Sequence, residues 1–155
     1  SNEMQRLMRQ NDLENEAGVA KAVARIAHKG QKYGKPVPTL DYFEAHVQKV
    51  AQRVEDAGLS IEHIAVAYLH DTVEDTPLTL DDLRKMGFSD AVIAGVDGMT
   101  RREGETYRVF IQRARANPLS NQVKFHDISA NLAACAGPET DGLKKRYIKA
   151  LQEWD

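Results

Sequence analysis

The nine residues Ile61-Glu62-His63-Ile64-Ala65-Val66-Ala67-Tyr68-Leu69 are mostly apolar and run without a break into His70-Asp71-Thr72-Val73-Glu74-Asp75-Thr76. Ile61, Ile64, Ala65, Tyr68 and Leu69 recur with the helical period, and Ser60 stands where an N-cap belongs, so the stretch reads as a buried helix. Its end delivers an imidazole and three carboxylates toward the interior. If the helix continues for one more turn, Glu74 lies four residues after His70 and Asp75 four after Asp71, each pair on one face. Self-repulsion and desolvation make such a group costly unless a cation accompanies it.

A neutral imidazole beside a carboxylate offers one nitrogen and one oxygen, a mixed donor set that suits a borderline first-row metal better than calcium. Most His-Asp dipeptides are solvated helix ends, and it is the apolar approach that singles this one out. Two residues do not complete a site, and His46 upstream and Asp127 downstream are the candidates for the rest. In Gln122-Val123-Lys124-Phe125-His126-Asp127-Ile128-Ser129-Ala130-Asn131-Leu132, the residues Val123, Phe125, Ile128 and Leu132 read as core. Asp127 and Asn131 lie one helical turn apart, able to face a common pocket.

The remaining pattern is helical. Val19, Ala22, Val23, Ile26 and Ala27 form one apolar face closed by Gly30, and Val47, Val50, Ala51 and Val54 form another closed by Gly58. Thr79 with Asp81 and Asp82 opens a short helix that Gly87 ends, and Ser89 with Asp90 opens the next. Tyr107, Phe110, Ile111 and Ala114 give a further face, and the last helix, around Leu143 to Trp154, carries Tyr147, Ile148 and Leu151. Nothing alternates with period two for long enough to make a sheet, so the expected fold is all-α, a compact helical bundle. At 155 residues and 42% apolar content it is expected to be one domain over 1–155.

Two polar rims are expected around a site. The segment from Gln31 to Tyr42, with its prolines and lysines, reads as a flexible rim, and Met99 to Tyr107 as a second, charged one. Lys32, Lys35, Arg101, Arg102 and Lys124 are candidate cations for phosphate. Any one of them taken singly reads as solvated surface, but a phosphorylated ligand requires some of them. His28 reads as a hydrogen-bonding or pocket residue rather than a further ligand, His63 as exposed, and His126 as either a buried core imidazole or a pocket-lining one. Tyr107 and Phe110 read as core, with Tyr107 and Glu105 also placed for nucleotide contact.

A formal charge of -2 argues against nucleic acid as the main partner. The single cysteine, Cys135, excludes an internal disulfide framework and suits a reducing cytoplasm. No signal peptide and no membrane-spanning run is found, so no membrane partner is expected, and the oligomeric state is left open. Ser1-Asn2 reads as an expression-tag remnant.

Taken in order, Ala-His28-Lys-Gly-Gln31, His46, Leu-His70-Asp71-Thr-Val-Glu74-Asp75-Thr76, Met-Thr100 with Glu105 and Tyr107, and Val-Lys124-Phe-His-Asp127 with Asn131-Leu132 resemble the HD-domain metal-dependent phosphohydrolases. Within them the pattern is similar to the branch that hydrolyses the guanosine tetra- and pentaphosphate alarmones, (p)ppGpp, found in the RelA/SpoT hydrolase domain and in small stand-alone alarmone hydrolases. The resemblance spans roughly residues 18–135. It implies a helical HD domain with His46, His70, Asp71 and Asp127 as ligands of a divalent metal, usually manganese. It further implies that Glu74 and Asp75 orient or activate the attacking water, and that Asn131 contacts a phosphorylated nucleotide.

At two positions the chain departs from that pattern. Tyr33 stands where an Arg is usual, in a stretch before His46 that is longer than the family's, and Ala134 stands where a Thr is usual. Fewer contacts to the nucleotide predict looser selectivity, with Lys32, Lys35 or Arg101 as candidate replacements. The expected reaction is release of pyrophosphate from the 3′ position of an alarmone. The alternatives are an HD phosphohydrolase or nucleotidase acting on another nucleotide, and a non-catalytic metal- or nucleotide-binding module.

Overall fold

The computed structural model describes residues 15–155, and Ser1-Asn2 lies outside the described residues. Helix α1 (Glu16–Ala27) is capped by Asn15, whose side chain accepts from the Gly18 N–H, and it packs along α3 (Ile61–Leu69). Its deepest face is Ala17, Ala20 and Ala24, followed by the fully buried His28. Val19 and Val23 pack on the core as expected, but Ile26 is 76% exposed, so the buried face is rotated from the one that apolarity alone suggests. Small side chains allow the two helices to approach closely, and the bulky isoleucine is turned out.

Between α1 and the next helix the chain forms a two-stranded antiparallel ribbon, β1 (Lys32–Tyr33) with β2 (Leu40–Asp41), in which Lys32 pairs with Asp41 and Tyr33 with Leu40. This segment was expected to be a flexible rim. Instead Tyr33 and Tyr42 anchor it by their hydroxyls to Asn131 and Asp71. A π-helical turn, Phe43–Val47, then feeds α2 (Gln48–Asp56), with the Gln48 N–H bonded to the Phe43 carbonyl five residues back.

The centre is α3, where every residue from Ala65 to His70 is buried. Ser60 caps it with a box completed by His63, so His63 is a capping residue, half-buried rather than exposed, while Ile61 at the helix entry is 47% exposed. A short helix α4 (Thr72–Asp75) follows, then α5 (Leu80–Lys85) and α6 (Asp90–Met99), capped by Thr79 and Ser89 as the sequence suggests. Helix α7 (Tyr107–Ala116) meets the long α8 (Pro118–Ala134) at Asn117, which caps the start of α8, and α9 (Asp141–Leu151) closes the bundle. In α9 Ile148 faces solvent and Ala150 is the buried position.

The main core joins Val50 and Val54 of α2, Val66 and Leu69 of α3, Val92 and Val96 of α6, and Val123 of α8. A smaller cluster of Ile111, Ile128 and Ala150, flanked by Tyr147 and Trp154, ties α7, α8 and α9 together. Gly95 permits the close approach of α6, since a Cβ there would stand 2.7 Å from Val66 Cγ2 and 3.2 Å from Leu119 Cβ. Apart from the small ribbon the architecture is all-α, and among the described residues no helix is long and apolar enough to cross a membrane.

Candidate metal centre and surrounding pockets

Helix α3 ends at Leu69, and the further turn that the sequence allows forms only after a break, as α4. Asp71 leaves helical geometry at φ −105°, ψ 0°, and stands at the N-cap position of α4. The buried Thr72 hydroxyl donates to the Leu69 carbonyl at 2.8 Å, satisfying an orphan acceptor at that helix end. His70 sits at the break with Nδ1 2.6 Å from the Ala67 carbonyl, which makes Nδ1 the donor there and aims Nε2 away from the backbone.

Around that nitrogen the four sequence candidates converge. His46 Nε2 lies 3.2 Å from His70 Nε2. Asp71 Oδ2 is 3.0 Å from His70 Nε2 and 3.6 Å from His46 Nε2. Asp127 Oδ1 is 3.0 Å from His46 Nε2 and 3.4 Å from His70 Nε2. A cation with bonds of about 2.0–2.2 Å holds neighbouring ligand atoms roughly 3 Å apart, so these spacings fit a divalent metal. His46, His70 and Asp71 alone offer three ligand atoms within 4.8 Å of one another, a cluster able to hold a metal ion.

The electrostatics are those of an unusually concentrated group. Burial disfavours the charge on His70, but Asp71 and Asp127 outweigh it and hold its pKa well above the ordinary histidine value. Burial likewise opposes ionisation of Asp71 and Asp127, yet both are drawn below the usual carboxylate range, Asp71 by His70 and Asp127 by Lys124 and His70. These carboxylates therefore stay anionic, as ligands must.

Neighbouring residues orient the cluster. Tyr42 donates its hydroxyl to Asp71 Oδ2, and burial with the Asp71 charge raises its pKa strongly, so it remains a phenol. Lys124, expected to reach phosphate, is instead 8% exposed and bonded to Asp127 Oδ2 at 2.9 Å, because a carboxylate one turn away on the same helix neutralises it. Tyr33 stacks on the His46 ring at 5.2 Å and donates to Asn131 Oδ1 at 2.8 Å, while Asn131 Nδ2 faces Asp127 Oδ1 at 3.4 Å. The Tyr33 pKa is pushed up to about 12, first by burial.

Glu74 and Asp75 flank the cluster. Glu74 accepts the backbone N–H of Arg101, and Asp75 Oδ2 accepts from Gln31 Nε2 at 3.3 Å. Gln31 in turn has its Oε1 2.7 Å from Nδ1 of His28. Burial is the first reason that both Glu74 and Asp75 have raised pKa values. His28 thus reaches the site through Gln31, and its buried Nε2 has no partner among the described residues.

One pocket of about 270 Å³ is lined by His46, Asp71, Glu74, Asp75, Asp127 and Asn131, with Tyr107 and Lys124 on its wall. Lys32 and Lys35 do not line it. They border an adjoining cavity of about 230 Å³ that shares Asn131 and Tyr147 with it. The Arg101 side chain points to the Glu105 carbonyl at 3.0 Å, so its contribution to the site is the backbone N–H. Glu105 is held by Arg113 at 2.8 Å, with its pKa lowered to about 2 by that bond, and is a loop brace rather than a nucleotide contact. His126 is half-buried against Phe125, and burial lowers its pKa. Sequence reasoning missed Tyr42 and Arg146, which line the pocket without any spacing signal.

No protein-family model matches the chain. A solved structure described as a metazoan ortholog of SpoT that hydrolyzes ppGpp superimposes with a TM-score of 0.73 at 20% identity, covering 89% of this chain and 84% of that one. The chain resembles the SpoT-type HD hydrolases. The Streptomyces coelicolor GTP pyrophosphokinase is 27% identical over 158 residues, which is 95% of this chain and 18% of that protein. The Escherichia coli K12 bifunctional (p)ppGpp synthase/hydrolase SpoT is 33% identical over 86 residues, 56% of this chain and 12% of its own length. This chain therefore spans less than a fifth of these curated relatives.

Proposed function

We propose that the chain is a metal-dependent phosphohydrolase that removes pyrophosphate from the 3′ position of (p)ppGpp. The observation that carries this reading is that His46 and His70 lie 3.2 Å apart and each lies 3.0–3.6 Å from Asp71 and Asp127, with Glu74 and Asp75 lining the pocket that His46, Asp71 and Asp127 border. The shared fold supports it, as do those relatives named as (p)ppGpp hydrolases, while others are named GTP pyrophosphokinases.

His46, His70, Asp71 and Asp127 would hold a divalent cation, with Mn²⁺ the preferred ion. When bound, such a cation makes water nucleophilic near neutral pH and draws charge from a phosphoryl oxygen. Glu74 and Asp75, half-buried and with raised pKa values, accept the proton of the attacking water or fix its direction. The Arg101 N–H and Gln31 hold these two carboxylates in place, and Asn131 lines the same pocket, where a nucleotide would compete with Tyr33 for its amide. Incubating the manganese-loaded protein with alarmones and simple nucleotides, and resolving pyrophosphate from orthophosphate, tests the proposal. Release of orthophosphate alone, or no reaction with (p)ppGpp, refutes it.

A second reading, hydrolysis of another phosphorylated nucleotide, has one specific observation in its favour. Tyr33 engages the Asn131 side chain, so the amide expected to meet the nucleotide already has a partner. Orthophosphate from a nucleoside monophosphate would be its signature.

A further inference from the structure

The imidazole of His28 is fully buried, and its Nε2 has no partner among the described residues. A buried polar atom left unpaired is destabilising, so packing alone favours an apolar side chain at this position. The other ring nitrogen, Nδ1, lies 2.7 Å from Oε1 of Gln31.

Backbone contacts place the two residues beside each other. His28 ends α1 with its N–H bonded to the Ala24 carbonyl, and Gly30 at φ 84° turns the chain so that the Gln31 N–H reaches the His28 carbonyl at 2.9 Å. The Gln31 carbonyl accepts from the Tyr42 N–H at 2.9 Å, and the Tyr42 ring centroid lies 5.0 Å from that of the imidazole. With its backbone held on both sides, Gln31 keeps the rotation of its side-chain amide.

Asp75 decides the sense of that amide. An ionised carboxylate only accepts, so the end 3.3 Å from Asp75 Oδ2 is the NH₂ group. Oε1 is then left for His28, which makes Nδ1 the donor and Nε2 a bare lone pair. Without the Nδ1 proton, Oε1 could turn toward the carboxylate, where two acceptors repel. Glu74 is held by a backbone N–H, which cannot reverse its polarity, whereas Asp75 is held by an amide that can.

We infer that His28 is a positioning residue for Asp75: its Nδ1–H pins the Gln31 amide in the one orientation that donates to the carboxylate. This rests on the proposed function for what Asp75 then does to the attacking water.

The test uses His28→Leu, His28→Gln, His28→Asn and Gln31→Leu. An asparagine amide branches from the carbon that bears Nδ1 in histidine, so His28→Asn can still donate to Oε1; His28→Gln reaches the Nε2 position instead, and His28→Leu donates nothing. With the manganese-loaded protein and (p)ppGpp, the Leu and Gln variants of His28 and Gln31→Leu should each lower kcat about tenfold, with KM and metal content unchanged. His28→Asn should recover most of the loss, and His28→Leu should cost nothing further once Gln31→Leu is present. Equal losses in His28→Asn and His28→Leu, or additive losses in the double variant, overturn the inference. Should His28→Leu fail to fold, His28→Gln and Gln31→Leu carry the comparison. Nitrogen NMR of the wild-type imidazole, recorded without metal or substrate, separates this inference from the reaction. A proton on Nδ1 is expected even if no alarmone is hydrolysed and the proposed function falls. A proton on Nε2 with Nδ1 bare overturns the inference even if (p)ppGpp is hydrolysed.

Discussion

The Tyr33 hydroxyl donates to Asn131 Oδ1 at 2.8 Å, joining a ribbon near the start of the chain to the helix that carries Asp127. At the same time the Tyr33 ring lies against His46. A residue that departs from the resembled pattern therefore does more than omit an arginine: it clamps the rim onto the His–Asp cluster and engages the amide expected to read the nucleotide.

Tyr33→Phe should consequently release Asn131 while keeping the stack on His46. The expected outcome is a lower KM for the nucleotide, by a few-fold, with kcat little changed, because one neutral hydrogen bond no longer competes with substrate. Steady-state kinetics with the alarmone and a nucleoside diphosphate check this. A rise in KM for both would mean that the hydroxyl itself contacts substrate.

Asp71→Asn and Glu74→Gln are expected to fail differently. Asp71 is placed among the imidazoles, so its amide should lower metal affinity at least about tenfold and abolish turnover. Among the described residues Glu74 bonds to the Arg101 N–H and to none of the four His–Asp side chains, so Glu74→Gln should retain the metal and lose about 10²–10⁴ in kcat. Elemental analysis of purified variants beside rate measurements distinguishes the two. Metal loss in Glu74→Gln would reassign that carboxylate as a ligand.

The raised pKa values of Glu74 and Asp75 set the sign of the pH dependence. A carboxylate acts as a base only when ionised, and burial makes ionisation harder, so activity should disappear as pH falls through values above the ordinary carboxylate range of about 3.9–4.3. The acid limb of kcat/KM locates the group. A limb that persists unchanged in Glu74→Gln points to Asp75 as the base.

Gly95→Val tests the packing that brings α6 against α3 and α8. A Cβ at that position already approaches Val66 and Leu119 too closely, and a branched side chain should cost about 1–3 kcal/mol. Denaturant titration followed by circular dichroism measures it. An unchanged midpoint would show that α6 can move away freely.

What was legible in the sequence was mostly local chemistry. Ser60, Thr79 and Ser89 cap where they were expected to, because a cap is decided within three residues. Val47, Val50 and Val54 are buried for the same reason that their spacing suggests. The buried face of α1 was not legible, since a close helix–helix approach favours Ala20 and Ala24 over the larger Ile26, and closeness is a property of the pair. Lys124 could be numbered among the free cations only while its distance to Asp127 was unknown. Arg146 gave no signal because its partner, Tyr107, lies on another helix.

The π-helical turn at Phe43–Val47 separates two demands that an ordinary helix would lock together. Each residue of an α-helix advances the direction of its side chain by about 100°, so removing one residue from the wide turn would swing His46 by roughly that angle against Val50 and Val54. Phase is therefore adjusted where the hydrophobic run begins, at Val47. Val50 and Val54 can therefore face the core while His46, inside the wide turn, faces the carboxylates of Asp71 and Asp127, although all three belong to one continuous rod.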